Sequence, residues 1–261
     1  MLDPAAVADA GSRVFAELNQ RVPGFDGLVE PDVTVASIAL PIPRVNSASA
    51  AQFEPGTADA RIDDVVAWFE SRGVPFVWRL GPRDRPADLQ DRLLAKGFTL
   101  DPDKMPGMAA SLAALPEVVL PEGTVIERVR DATAYREWLD VTVDGFGMPS
   151  QIGDAYMAFA ALGFGDEVPI RVVLARVAGR PVATALGVLA GGGLVINNVT
   201  TIAAERGRGI GRAVTLAAMH LGAAAGAAIA VLQSTDMGDG VYRRLGFEPY
   251  GQYRVLARLP D

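Results

Sequence analysis

Residues 206–212, Arg-Gly-Arg-Gly-Ile-Gly-Arg, pack three glycines and three arginines into seven positions and then give way to the apolar run AVTLAAM. That composition suits a loop opening into a helix. The first N–H groups of a helix have no intrahelical acceptor and carry roughly half a positive charge, so they attract an anion. Glycine removes the Cβ that would keep a phosphate oxygen from the backbone. Gly207, Gly209, Ile210 and Gly211 would supply that backbone, and Arg206, Arg208 and Arg212 the surrounding positive charge. Further along, Tyr242 offers a phenol. With a pKa of about 10 it is protonated at neutral pH and can act as a proton donor.

Other chemistries are excluded or disfavoured by composition. The chain of 261 residues has no cysteine, which removes disulfides, thiolate zinc sites and a cysteine nucleophile. His220 is the only histidine, so a Ser-His-Asp triad or a multi-histidine metal site is not expected, and no metal is assigned. By its place on the helix after the loop, His220 reads as a packed or surface residue. The net charge of −7 argues against nucleic acid as a partner. Asp3 and Asp9 stand where a signal peptide would be basic and apolar, and the most apolar stretch, 221–232, is too short to span a bilayer and is cut by Gly222 and Gly226. The expectation is a cytoplasmic protein with no membrane partner.

The elements that must position this chemistry follow from periodicity. Residues 60–72 place Ile62, Val65, Val66 and Phe69 at helical spacing, and Gly73 stops that helix. Residues 74–80 read as a strand, 85–98 as a helix, 108–115 as a strand, and the proline-bearing 116–123 as a linker. The pattern then restarts. A strand at 124–130 precedes a helix capped by Asp131, a second helical stretch follows at 153–162, and 170–202 reads as three strands. The glycine loop and its helix (209–224), a strand (228–235), a short helix ending at 242–247 and a last strand (252–259) complete the chain. LLAKGF (93–98) and YRRLGF (242–247) each end a helix after the same order of elements, which points to a diverged duplication. The expected domains are 1–115 and 120–261.

The loop admits three readings: a turn without ligand, a dinucleotide site, or a cradle for the pyrophosphate of coenzyme A. GRGIGRA resembles the glycine loop of short-chain dehydrogenases, but only about fifty residues follow it, too few for the parallel sheet that fold needs, and no lysine stands beyond Lys104. The surrounding motifs decide. Arg206-x-x-Gly209-x-Gly211 after the strand INNVTT, followed by LQSTDMGDGVYRRLGF at 232–247, resembles the GNAT acetyltransferases over 124–259. The first half resembles a GNAT half that lacks the loop, a two-half plan similar to that of mycothiol synthase-like enzymes.

The resemblance implies an α/β (α+β) fold of two GNAT-like halves, each a mixed, mainly antiparallel sheet flanked by helices. It implies a single acetyl-CoA site, in the second half, and direct transfer of acetyl to a primary amine of a small molecule or peptide. In that scheme the backbone N–H of Val199 faces the thioester carbonyl, Thr201 pairs with the pantetheine arm, Tyr242 serves the leaving thiolate, and Thr235 stands where many relatives carry a cofactor-binding Asn. Asn197 and Asn198 occupy the strand where several relatives place a basic Glu, and neither can take a proton. Asp144 and Phe146 are the further acceptor-side candidates, with a solvated turn carboxylate as the plainer reading of Asp144. The alternative is a non-catalytic acyl-CoA-binding or sensing protein, which the missing carboxylate would suit.

Overall fold

The computed structural model describes residues 2–103 and 105–258. In chain order the elements are α1 (Pro4–Asn19), β1 (Asp26–Val29), β2 (Thr34–Ser37), β3 (Ser47–Ser49), α2 (Ala58–Glu70), β4 (Phe76–Leu80), α3 (Leu89–Ala95), β5 (Thr99–Leu100) and β6 (Met105–Ser111). There follow β7 (Thr124–Arg128), α4 (Ala132–Phe146), α5 (Ser150–Tyr156), β8 (Ile170–Val177), β9 (Arg180–Ala190), β10 (Gly193–Thr201), α6 (Ile210–Ala224), β11 (Ile229–Gln233), α7 (Asp236–Arg243) and β12 (Glu248–Arg258). The expected α/β architecture of mixed, mainly antiparallel sheets flanked by helices is present in both halves. None of the described helices is long and apolar enough to cross a membrane.

The chain divides into two compact units, and these are not the contiguous halves 1–115 and 120–261. Residues 1–11 and 108–249 form one unit; residues 12–107 and 250–261 form the other. The last strand of sequence therefore completes the sheet built by the N-terminal half, and most of β6 joins the sheet built by the C-terminal half. Local periodicity reports only that a segment is a strand. Its neighbour is chosen by which open sheet edge it can reach, which periodicity does not encode.

In the N-terminal unit the sheet order is β1-β2-β3-β4-β12, with β5 also beside β12. The β3–β4 pair is parallel and the others are antiparallel. Its core is aromatic: Phe69 of α2 stacks on Phe76 of β4 with ring centroids 3.9 Å apart, and Phe98 meets Phe76 and Trp78 edge-on. Ile62, Leu89 and Leu93 close the cluster without exposed surface to speak of.

In the C-terminal unit the order is β7-β8-β9-β10-β11-β6, antiparallel from β7 to β10, with β10 and β11 parallel. Helix α6 lays Ile210, Val214 and Ala218 on Val173 and Ala175 of β8 and on Ala183 and Ala185 of β9. Thr184, between those two alanines, turns to the opposite face and meets Thr142 of α4. The sheet is thus covered on both faces. Helix α4 starts as its sequence dictates, since the Asp131 carboxylate accepts from the Ala134 N–H at 2.9 Å.

Candidate active site

The loop after β10 has the conformation that its glycines allow. Gly207 and Gly209 sit at φ +78° and +84°, and no atom lies within 4 Å of where either Cβ would stand. Both are needed for the backbone, and both leave open space beside it. Gly209 is the N-cap of α6 and gives that helix no side-chain cap. The first-turn N–H groups of α6 are therefore left for another acceptor. Gly211 has ordinary backbone angles, and a Cβ there would meet only Thr201 Oγ1 at 3.4 Å.

The three loop arginines have different positions. Arg206 Nε donates to the Thr201 carbonyl at 2.9 Å, tying the loop back to the end of β10, and its Nη2 reaches the Gly145 carbonyl at 3.4 Å. Arg208 turns to Glu205, a carboxylate almost without exposed surface, and also donates to the Glu122 carbonyl at 3.5 Å. Arg180 approaches the same carboxylate at 3.4 Å. The charge of Arg208 is therefore largely matched within the fold. Arg212 makes no ion pair among the described residues and stands on the first turn of α6.

Strand β10 carries the second half of the site. Its parallel pairing with β11 spans Leu194↔Ala230 and Val195↔Val231. Beyond that point β10 runs on to Thr201 while β11 ends at Gln233 and the chain enters α7. Along its other edge β10 pairs with β9 throughout, except for a register shift between Asn197 and Thr200. There Asn198 and Val199 together oppose Ala185 alone, a β-bulge, and Asn198 sits at φ +51°. The bulge gives Asn197 an exposed side chain and Asn198 a half-buried one.

Tyr242 lies on α7 in the apolar cluster that also includes Ile196 and Leu232 and against which Val199 packs. Its ring passes over Gly238, where a Cβ would come within 2.6 Å of Cε2. The ring is 8% exposed, and burial pushes the phenol up to about 12. Thr235 caps α7 through its backbone, accepting from the Gly238 and Asp239 N–H groups at 2.9 and 3.1 Å, and its side chain is exposed.

At the C-terminal end of α4, Gly145 is pressed against Thr200, with Oγ1 only 2.3 Å from where a Cβ would stand. That contact and the Arg206 bond bring Asp144 and Phe146, both exposed, beside the loop. The geometry thus gathers residues 144–146, 197–201, 206–212 and 242 in one unit. His220 lies apart from them: its Nε2 is 2.9 Å from the Pro116 carbonyl and fastens the linker to α6.

The N-terminal unit has the same parallel pair without the opening. Past β3 and β4 the Arg85 N–H donates to the Ala51 carbonyl at 2.9 Å, and the Phe53 N–H donates to the Arg85 carbonyl at 3.3 Å. The two chains stay joined by their own backbone where β10 and β11 stop pairing.

The sequence matches no protein-family model and no curated protein. Solved structures do match. A GCN5-related N-acetyltransferase from Kribbella flavida superposes with a TM-score of 0.73 at 22% identity, covering 97% of this chain and 96% of that one. One from Sphaerobacter thermophilus gives 0.64 at 17% identity over 98% and 93%. A tandem GNAT protein from the clavulanic acid biosynthesis pathway gives 0.61 at 12% identity over 98% and 95%. At these identities the likeness is one of fold, and it runs through both halves: the chain carries the two-half GNAT fold of the GCN5-related N-acetyltransferases.

Proposed function

We propose that the C-terminal unit binds acetyl-CoA and transfers its acetyl group to a primary amine of a small molecule or peptide, in the cytoplasm. The observation that carries this reading is the uncapped N-terminus of α6, preceded by two positive-φ glycines with open space beside them. A diphosphate fits there, and the first-turn N–H groups of α6 with Arg206 and Arg212 would hold it. Thr201 and Thr235 would serve the pantetheine arm. The bound coenzyme supplies an activated acyl thioester.

The residues of the chain then have three tasks. Val199 N–H would stabilise the oxyanion that forms when the amine attacks the thioester carbonyl, a fixed donor that needs no reorganisation. Asp144 and Phe146, with Asn197 and Asn198, would border the acceptor. Tyr242 would hydrogen-bond the sulfur as the C–S bond breaks. A phenol at about 12 is a weaker acid than a thiol at about 8.5, so isolated proton transfer to sulfur is uphill by about 3.5 pK units. Attack by the amine creates an ammonium, and the balance closes when Tyr242 passes its proton to sulfur and regains one from that ammonium. The amine must arrive neutral, because Asn197 and Asn198 offer no proton acceptor at the bulge.

Non-catalytic acyl-CoA binding is the second reading, favoured by that same pair of asparagines. Calorimetric titration with acetyl-CoA, followed by a panel of amines and detection of free thiol, separates the two. Binding with acceptor-dependent thiol release supports transfer. Binding without release for any amine supports a sensor, and no binding by folded protein removes both.

A further inference from the structure

We propose that Thr184 is a positioning residue for acetyl transfer: its buried hydroxyl holds the Asn198 carbonyl and thereby aims the Val199 N–H. The proposal rests on the acetyl-transfer reading and adds a residue of a neighbouring strand that has no exposed surface.

The bulge in β10 takes peptide groups out of the β9–β10 ladder, and buried peptide groups need partners. On the β9 side the Ala185 carbonyl accepts from the Trp138 indole N–H at 3.3 Å. On the β10 side the Asn198 carbonyl accepts from Thr184 Oγ1 at 2.8 Å. A trans peptide sets its C=O and N–H antiparallel. Fixing the Asn198 carbonyl toward Thr184 therefore fixes the Val199 N–H away from Thr184. The same bond supports Asn198 in a left-handed conformation that asparagine tolerates and most residues do not.

The hydroxyl packs against a second one. Thr142 Oγ1 donates to the Trp138 carbonyl at 2.8 Å and lies 3.3 Å from Thr184 Oγ1, so α4 sets a hydroxyl beside Thr184 and the Trp138 indole on the Ala185 carbonyl. Without the Thr184 hydroxyl the Asn198 carbonyl has no partner on that side, and the peptide can rotate to find one. Such a rotation would swing the Val199 N–H off its line while leaving the α6 N-terminus untouched. Thr184 would thus govern the polarisation of the thioester and not the capture of the coenzyme.

The test compares native protein, Thr184→Val, which keeps shape and loses the hydroxyl, and Thr184→Ser, which restores it. The readout is the carbonyl resonance of acetyl-CoA labelled with carbon-13 at the thioester, together with affinity by calorimetry. A downfield shift on binding native protein, lost in Thr184→Val, kept in Thr184→Ser, and with affinity changed less than about threefold, is the expected result. Once an acceptor is known, kcat of Thr184→Val should fall about ten- to hundredfold at nearly constant KM for acetyl-CoA, less than complete loss of an oxyanion donor. A shift that persists in Thr184→Val overturns the role of Thr184 alone, as does loss of affinity in proportion to the shift. Failure of native protein to bind overturns the acetyl-transfer reading first. If the valine variant does not fold, Thr184→Ala takes its place with the same criteria.

Discussion

Leu93 of α3 and Tyr242 of α7 occupy the same place in two copies of one turn. The Leu93 carbonyl accepts from the Phe98 N–H at 3.1 Å, and the Tyr242 carbonyl accepts from the Phe247 N–H at 3.1 Å. In each case a glycine at positive φ, Gly97 or Gly246, makes the chain reversal. The hexapeptide echo is thus a structural repeat, with a phenol in one copy and an aliphatic side chain in the other. Of the two copies of the turn, only the one in the C-terminal unit carries a hydroxyl at this position.

Tyr242→Phe retains the ring over Gly238 and removes only the hydroxyl. Its kcat for amine acetylation should fall about a hundredfold or more, with affinity for acetyl-CoA little changed. Equal turnover would remove the assigned role.

Stability at high pH tests the burial of the same phenol. A group whose folded pKa lies above its unfolded value of 10 holds its proton more tightly when folded. Its contribution is complete below pH 10 and is lost as pH rises through about 12. Melting temperature should therefore drop more steeply between those limits for native protein than for Tyr242→Phe. Burial also raises the phenol of Tyr135, which is present in both proteins, so their difference isolates Tyr242.

Gly211→Asp is the selective probe of the loop. Its backbone angles suit any residue and the added Cβ meets only Thr201 Oγ1 at 3.4 Å, so the fold should survive. The carboxylate would face the diphosphate at the start of α6. Acetyl-CoA affinity should fall by about a hundredfold or more in calorimetry, a charge reversal at a helix N-terminus. Retained affinity in a folded variant would move the site elsewhere.

Arg208→Ala should behave differently. It leaves the buried Glu205 carboxylate with Arg180 alone, at 3.4 Å. Because Arg208 is itself partly solvated, the expected destabilisation is about 2 kcal/mol, below that of a fully buried pair. Denaturant unfolding should show that loss, while acetyl-CoA affinity should drop less than for Arg206→Ala.

Gly145→Ala tests the seam between α4 and β10. The new methyl would sit 2.3 Å from Thr200 Oγ1, so the end of α4 must move. Overpacking of this kind costs about 1–3 kcal/mol, to be read from thermal or chemical unfolding.

The sequence made local features legible and left tertiary ones hidden. The Asp131 cap, the three strands at 170–202, the loop and α6 were readable because each depends on residues within one turn or one strand. Helix α1 carries an apolar stripe as clear as that of α4, with Val7, Ala8, Ala16 and Leu18 buried, and was legible though unread, whereas strands β1 to β3, of three or four residues each, are too short for a period to show. The loop arginines looked alike in sequence, yet Arg208 is committed to Glu205 and Arg206 to the Thr201 carbonyl, a division set by how the loop folds back on itself. The bulge at Asn198 and Val199 was equally hidden, because it exists only in register with Ala185. No property of Thr184 in isolation marks it as the partner of that bulge.

The closed parallel pair of the N-terminal unit bears on how this chain can be altered. The two hydrogen bonds between Arg85 and residues 51 and 53 are made by main-chain atoms, so among substitutions only proline, which has no N–H to donate, removes them. Grafting Arg-x-x-Gly-x-Gly after β3, and tyrosine for Leu93, would copy the lettering of the C-terminal loop and α7 while leaving these two bonds in place. Parting these two chains as β10 and β11 are parted is therefore a matter of backbone, reached through proline at position 53 or 85 or by rebuilding the segment.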